Sequence, residues 1–583
     1  MSTAAVASLL PLPVVIPLAG AATAPVLARV HRHLPLIVSA LTMATAAAVL
    51  LVIAPRVYTG DGRVVAHFFG HWGPVDGKVL GVAFAADPFG LTFALISAVL
   101  GTLLLVSALS ELGELGPREI GGFACLFQLL LAALVAAALT ADTINLFVWF
   151  EVAALASYGL TGFFLERPIA LEAAFKVLVL TTIGGFLVFV GSALLYADHG
   201  ALNFAQLQRA LPGHVTTPDL LALGLLVAGF ATKAGLMPFH GWLPDAHTAA
   251  PGAVSALFSA LMVDLGLVGI VRLTMQVYPG GHRILGLLTA LGVVSAILGA
   301  ALALAQDDLK RLLAWDTVSQ MGVLMIGFAS ATPAGVAGAT YHLVNHALFK
   351  GLMFLCAGAI VHATGETSMS RMGGLARRRP LLTGAFTVGV LAIAGVPPLN
   401  GFASLGLIHE GLHSGGHPVV LGGALLAQVL TIAALGRAAY VAFYRRRSDD
   451  YDHLEPLRPG MRVTLLSLGA ACVAFGVLPG VVVDRVAAPA ASVLLHPAAY
   501  AQAVLARGGD VPPLPVSFSY GNAGDLLLTA VTVVVGVALA VGYLRIPEPV
   551  PIRWLRAAHT GSVNDYAALA TAGVITCAVV VLA

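Results

Sequence analysis

Charge is what this chain has least of. Lys, Arg, Asp and Glu make up 10% of its 583 residues against 59% hydrophobic ones, and the mean hydropathy is +0.94. That leaves too few polar side chains to cover a water-facing surface, which excludes a soluble globular fold and makes lipid the expected solvent. Cysteine is nearly absent too. Cys125, Cys356, Cys472 and Cys577 each stand alone in an apolar stretch, so neither a disulfide framework nor a Cys/His metal or iron–sulfur site is indicated. The net charge of +2 is too small on so long a chain to point to nucleic acid. The first apolar stretch lacks a basic leader and runs too long for a cleaved signal, so it reads as a retained helix.

What is abundant is apolar sequence in lengths of about 20 residues, enough for one helix to cross the hydrocarbon core. Such stretches fall near 4–28, 34–53, 87–109, 121–141, 143–164, 173–196, 219–238, 252–277, 284–305, 313–330, 335–361, 381–412, 419–443, 461–483, 524–546 and 563–583. The expectation is an all-α polytopic membrane protein of about 14–16 transmembrane helices. Basic clusters at Arg29/Arg32, Lys310/Arg311, Arg377 to Arg379, Arg445 to Arg447 and Arg553/Arg556 share one side if the first helix starts outside. The positive-inside rule then puts both termini outside. The two long non-membrane segments, 54–86 and 484–523, also fall outside, and neither resembles a catalytic domain.

Prolines interrupt two helices. Pro238, Pro244 and Pro251 break the chain after helix seven, and Pro397 and Pro398 break helix twelve. Breaks at matching places five helices apart are the mark of two inverted five-helix repeats, and freed backbone is tolerated in lipid only where it is buried or lines a wet cavity. The expected divisions are N-terminal helices over 1–110, a first half-channel over 111–278, a second over 279–445, and C-terminal helices over 446–583.

The rare charges sit where they are expensive. Glu151, Lys176 and Lys233 lie in or beside membrane helices, where a charged side chain costs about 2.5–3.5 kcal/mol at the helix centre, so mutual pairing is expected. A Glu–Lys contact at about 4 Å and an effective dielectric near 20 offsets about 4 kcal/mol. In "YHLVNHALFKGLMFL", His342, His346 and Lys350 recur every four residues along one helix face. Histidine titrates near neutral pH, so the ladder suits stepwise proton transfer. "LIHEGLH" is a literal HExxH, able in principle to bind zinc through His409 and His413 with Glu410 as base. An intramembrane zinc protease would need a third ligand, and the sequence offers no convincing one.

Five stretches carry a resemblance: "NLFVWFEVAALASYGL", "KAGLMPFHGWLPDAHTAAPGAVSAL", "QDDLKRLLAWDTVSQMG", "HLVNHALFKGLMFLCAGAI" and "GVPPLNGF". In order and spacing, over roughly residues 85–445, they resemble the proton-conducting antiporter-like family. That family comprises the large membrane subunits of respiratory complex I, membrane-bound hydrogenases and multisubunit Mrp sodium/proton antiporters, and the D-type Mrp subunit looks closest. The resemblance implies that Glu151 and Lys233 gate proton uptake, that His342, His346 and Lys350 form the central hydrophilic axis, and that Lys310 is an anchor at the cytoplasmic surface, with Lys176 and His247 in support. Two positions depart from the pattern. Asp264 stands where D-type relatives have a lysine, and Leu405 where a lysine or glutamate carries the outgoing proton. Asp264 is expected to pair with Lys233 or Lys350, and His409 and Glu410, one turn beyond Leu405, form a candidate relocated exit.

The function implied is translocation of protons, with sodium as a second candidate ion, by a subunit of a cation/proton antiporter or of an NADH-quinone oxidoreductase-like complex in a bacterial plasma membrane. Partners would be other membrane subunits and the bilayer. The sequence shows no redox site or cofactor motif of its own, so any enzymatic step would belong to a partner. The alternatives are a non-conducting scaffold subunit and, more remotely, the zinc protease.

Overall fold

The computed structural model describes residues 2–58, 64–112, 115–211, 215–278, 281–445, 456–518, 522–545 and 550–582. The apolar stretches form α1 (Thr3–Val30), α2 (Leu34–Tyr58), α3 (Pro88–Glu111), α4 (Pro117–Leu139), α5 (Thr143–Thr161), α6 (Pro168–His199), α7 (Thr217–Ala234), α8 (Gly252–Val277), α9 (Arg283–Leu304), α10 (Leu309–Ala329) and α11 (Pro333–Thr364). Helix α12 is two pieces, Pro380–Ile393 and Asn400–Ser414. Then follow α13 (Pro418–Tyr444), α14 (Pro459–Val477), α15 (Ala523–Arg545) and α16 (Val563–Leu582). Of the expected basic clusters, Arg446 and Arg447 lie outside the described residues.

Helix starts in lipid have no water to satisfy their free N–H groups, so the chain supplies side chains. Asp87 accepts from Gly90 N at 2.9 Å, Asp142 from Asn145 N at 2.6 Å and Asp308 from Arg311 N at 2.8 Å. Glu111 of α3 caps α8, accepting from Gly252 N and Ala253 N at 2.5 and 2.8 Å.

The two breaks are built alike. Each first piece ends on a glycine in the left-handed region, Gly235 (φ +67°) and Gly395 (φ +72°), which a side chain would strain. The carbonyls freed at each break find partners. Trp242 Nε1 donates to Thr232 O at 2.8 Å, and Gln428 Nε2 donates to Ala394 O at 3.1 Å. Helix α7 resumes as a short piece, Leu243–Ala249.

The two long segments outside the membrane meet. Strand β1 (Val64–Phe68) pairs antiparallel with β2 (Ala83–Ala86) and with β3 (Gly508–Gly509). An even number of crossings, α3 through α14 with α12 counted once, separates β2 from β3, so the sheet agrees with one broken span at α12. Helices Pro479–Leu495 and Pro497–Leu505, bent by 91°, connect α14 to this sheet. The expected 461–483 helix therefore ends at Val477, and part of 484–523 is helical.

Helices α8 and α10 are buried throughout and occupy the centre. Near the sheet side, Arg272 of α8 forms a fully buried ion pair with Asp87, donates to Gln276 Oε1 at 2.6 Å and to Ala138 O at 3.1 Å. Removing one partner strands the other charge. Asp87→Ala is expected to destabilise the protein by about 3–5 kcal/mol, read by thermal unfolding of the purified chain.

At the periphery α15 packs on α13, and α16 on α7 and α9. A nine-residue helix, Val550–Ala558, lies in their connection.

A candidate ion-translocation axis

The first charged group lies where α5, α6 and α7 meet. Gly185 of α6 opens the space that Glu151 of α5 fills; a Cβ at that glycine would lie 1.7 Å from Glu151 Oε1. Lys233, in the last turn of α7, is fully buried with Nζ 4.7 Å from the centre of the Phe150 ring. The expected Glu151–Lys233 contact at about 4 Å is not formed. Among the described residues neither Lys233 Nζ nor Glu151 Oε1 has a hydrogen-bond partner, and the two residues interact electrostatically across a gap. The reason is local: Phe150, the neighbour of Glu151, takes the face toward Lys233. A cation over an aromatic ring retains about 0.5–2 kcal/mol without immobilising its proton.

Lys176 does not join this group, contrary to the expected mutual pairing. Its Nζ lies 2.7 Å from both Glu172, one turn earlier on α6, and Asp245 of the short α7 piece; Arg311 also reaches Asp245 at 3.2 Å. Lys310 is buried and donates to Ala250 O at 2.8 Å and Ser255 Oγ at 3.3 Å across the α7–α8 turn. His247 is buried and stacks on Phe354 at 4.7 Å between centroids.

Along α11 the three ladder residues are all fully buried, and between them they meet α8, α10 and α12. Lys350 Nζ donates to Asp316 Oδ2 of α10 at 2.5 Å and to Leu313 O at 3.1 Å. His346 Nδ1 lies 3.5 Å from Asp264 Oδ1 of α8. The expected pairing of Asp264 with a lysine is therefore wrong: Asp316 already holds Lys350, and α8 presents Asp264 one turn along α11, at the histidine.

His342 sits in a polar chain. Its Nε2 is 3.0 Å from Gln320 Oε1, an atom that only accepts, so Nε2 carries the hydrogen and Nδ1 accepts from Ser404 Oγ at 3.0 Å. Ser404 Oγ in turn accepts from Asn345 Nδ2 at 3.0 Å, and Asn400 Nδ2 donates to Asn345 Oδ1 at 2.9 Å. The chain links the break of α12 to α11 and α10.

Leu405, directly after Ser404, is buried and lines a narrow cleft with His409, Gln428, Asp525 and Thr529. His409 is close enough to His342 to interact with it electrostatically, and exposed Glu410 likewise with Asp525. Among the described residues no third His, Cys, Asp or Glu joins His409 and His413 in metal-ligand geometry. Sequence reasoning missed Asp316, Gln320, Ser404 and Asp525. The first two lie in the quoted "QDDLKRLLAWDTVSQMG", where polar residues inside an apolar span were the available signal.

The family profile described as NADH:quinone oxidoreductase/Mrp antiporter, TM, matches residues 140–432, from the α4–α5 turn into α13. The chain belongs to this family. The D subunit of the Na(+)/H(+) antiporter of Bacillus subtilis is 32% identical over 435 residues, covering 73% of this chain and 86% of the relative. The N subunit of the NADH-quinone oxidoreductase of Desulforudis audaxviator is 33% identical over 395 residues, 67% of this chain and 78% of that one. Among solved structures, a chain of the membrane-bound sulfane sulfur reductase, an archaeal respiratory membrane complex, superposes with a TM-score of 0.77 at 26% identity, covering 85% of this chain and 99% of that one. A chain of the Mrp complex from a Dietzia species shares the fold with the same TM-score at 24% identity, covering 86% and 99%. This family member is thus an all-α, multi-pass integral membrane protein, and α14 to α16 lie beyond the matched stretch.

Proposed function

We propose that this chain moves protons, or exchanges them for sodium, across the membrane as one subunit of a multisubunit antiporter or complex I-like assembly. The observation that carries the reading is the row of buried ionisable groups on α11, each facing a polar partner on a neighbouring helix: Lys350 with Asp316, His346 with Asp264, His342 with Gln320 and Ser404. Buried charges inside a membrane domain are expensive and mark ion pathways. Residues 111–278 and 279–445 are the two half-channels in this reading. Glu151 and Lys233 gate the first, and Lys350 is the switching lysine of the second. Lys310, Lys176 and His247 support the inner face. Any redox step belongs to a partner subunit. The relatives are themselves subunits of Mrp-type and NADH-quinone oxidoreductase assemblies, which favours membrane partners for this chain. The basic clusters favour a cytoplasmic face at the α9–α10 turn, with both termini outside a bacterial plasma membrane.

Leu405 cannot carry a proton, and the cleft beside it points to a relocated exit through His409, Glu410 and Asp525. Asp525 belongs to α15, outside the matched family stretch. Proton flux into vesicles holding the assembled complex tests this. His409→Ala combined with Glu410→Gln is expected to slow flux on the order of 100-fold, the scale of losing a positioned proton carrier. Unchanged flux in that variant would remove the second half-channel's exit from the account. The scaffold reading has no such expectation, because it gives these side chains no proton to carry.

A further inference from the structure

Helix α15, one of the membrane helices outside the matched family stretch, leaves a groove against α13. The cavity is about 720 Å3 and is lined by both arginines and apolar side chains. Arg437 and Arg445 from α13 and its end, with Arg545 at the end of α15, form one rim. Tyr440, Ala540 and Val541, with their neighbours, form an apolar wall that continues along the helices. Among the described residues, no acidic side chain lines it.

The arginines are not equivalent. Arg437 is partly buried, donates to the Gln306 carbonyl and lies 5.4 Å from the Tyr543 ring centre, so it fixes one end of the groove. Arg445 and Arg545 are exposed, and their side chains have no hydrogen bond or ion pair among the described residues. A basic residue at a helix C-terminus is favourable against the macrodipole, which accounts for an arginine at either end. It does not account for an apolar groove left open between them and facing lipid.

We infer that this groove binds an anionic phospholipid, its phosphate between Arg445 and Arg545 and its acyl chains along Ala540 and Val541. Charge complementarity selects the occupant. A zwitterionic lipid brings a cation to the arginine rim, a free anion leaves the apolar wall uncovered, and a protein segment would have to be acidic at one end and apolar at the other. Arginine forks bind phosphate oxygens bidentately, and basic pockets between membrane helices take anionic headgroups. The consequence is structural: the lipid would fill the seam that joins α15, and with it Asp525, to the family core. The proposal does not depend on the chain conducting ions.

Native mass spectrometry of the purified full chain tests it, with phosphatidylglycerol and phosphatidylcholine of identical acyl chains. Wild-type protein is expected to retain the glycerol lipid in preference to the choline lipid. Arg445→Gln combined with Arg545→Gln should weaken retention roughly 30-fold, at about a factor of five per arginine near the membrane surface. Ala540→Phe, which fills the groove and leaves the arginines in place, should also abolish retention. Inorganic phosphate should not displace the lipid. Equal retention of both lipids by wild type, unchanged retention in the double arginine variant or in Ala540→Phe, or displacement by inorganic phosphate would each overturn the proposal.

Discussion

Asp316→Ala is expected to be the most damaging single change in the second half, reducing proton flux to background and destabilising the chain by about 3–5 kcal/mol. Lys350 and Asp316 are both fully buried, and the lysine's only other partner among the described residues is the Leu313 carbonyl. Removing the carboxylate leaves an ammonium in the low-dielectric centre of the protein, where an uncompensated charge is far less favourable than the intact pair. Flux in vesicles and thermal unfolding of the purified protein read the two effects separately. Asp316→Asn keeps a hydrogen-bond acceptor beside Lys350 and should spare much of the stability while still losing flux, because the amide cannot alternate between charge states. Normal conduction by the Asp316→Ala variant would detach Lys350 from the transport step.

The second large effect is expected in the first half, and there flux and stability should part. Glu151→Gln and Lys233→Ala should each abolish proton movement with little loss of fold. No ion pair joins the two residues; Lys233 rests on the Phe150 ring, and Glu151 is only half-buried against Gly185. Each substitution also removes a charge that is unfavourable at a membrane helix by about 2.5–3.5 kcal/mol, so insertion should not suffer. The measurement is dye-monitored flux set beside the amount of protein in the membrane fraction. Full flux in both variants would sink the gating role, whereas lost protein would show that the charges serve folding.

The residues whose signal is local could be read from the chain alone. Sixteen apolar stretches, the two proline breaks and the recurrence of His342, His346 and Lys350 depend on neighbours within a few positions, and each reappears in the structure. What depends on distant packing could not be read. Asp316 meets Lys350 across 34 positions, and Asp87 meets Arg272 across 185. An acid inside an apolar span announces that it needs a partner without saying which. Asp264 shows the consequence: its place in an apolar span signals burial, but Asp316 takes Lys350 and leaves Asp264 to His346 rather than to a lysine. Lys176 failed in the same way, since the short helix after the α7 break brings Asp245 within reach. The sheet joining β1 to β3 was invisible because β3 is two residues long and its register comes from β1.

The most direct test of conduction through the buried axis is Lys350→Arg, measured as proton flux in vesicles containing the assembled complex. Arginine keeps the positive charge and can hold Asp316, but its guanidinium does not release a proton under any physiological condition. Assembly and thermal stability near wild type with flux at background is the result expected if Lys350 must switch charge during transport. Wild-type flux in the Lys350→Arg variant would contradict the account and leave Lys350 and Asp316 as a structural pair.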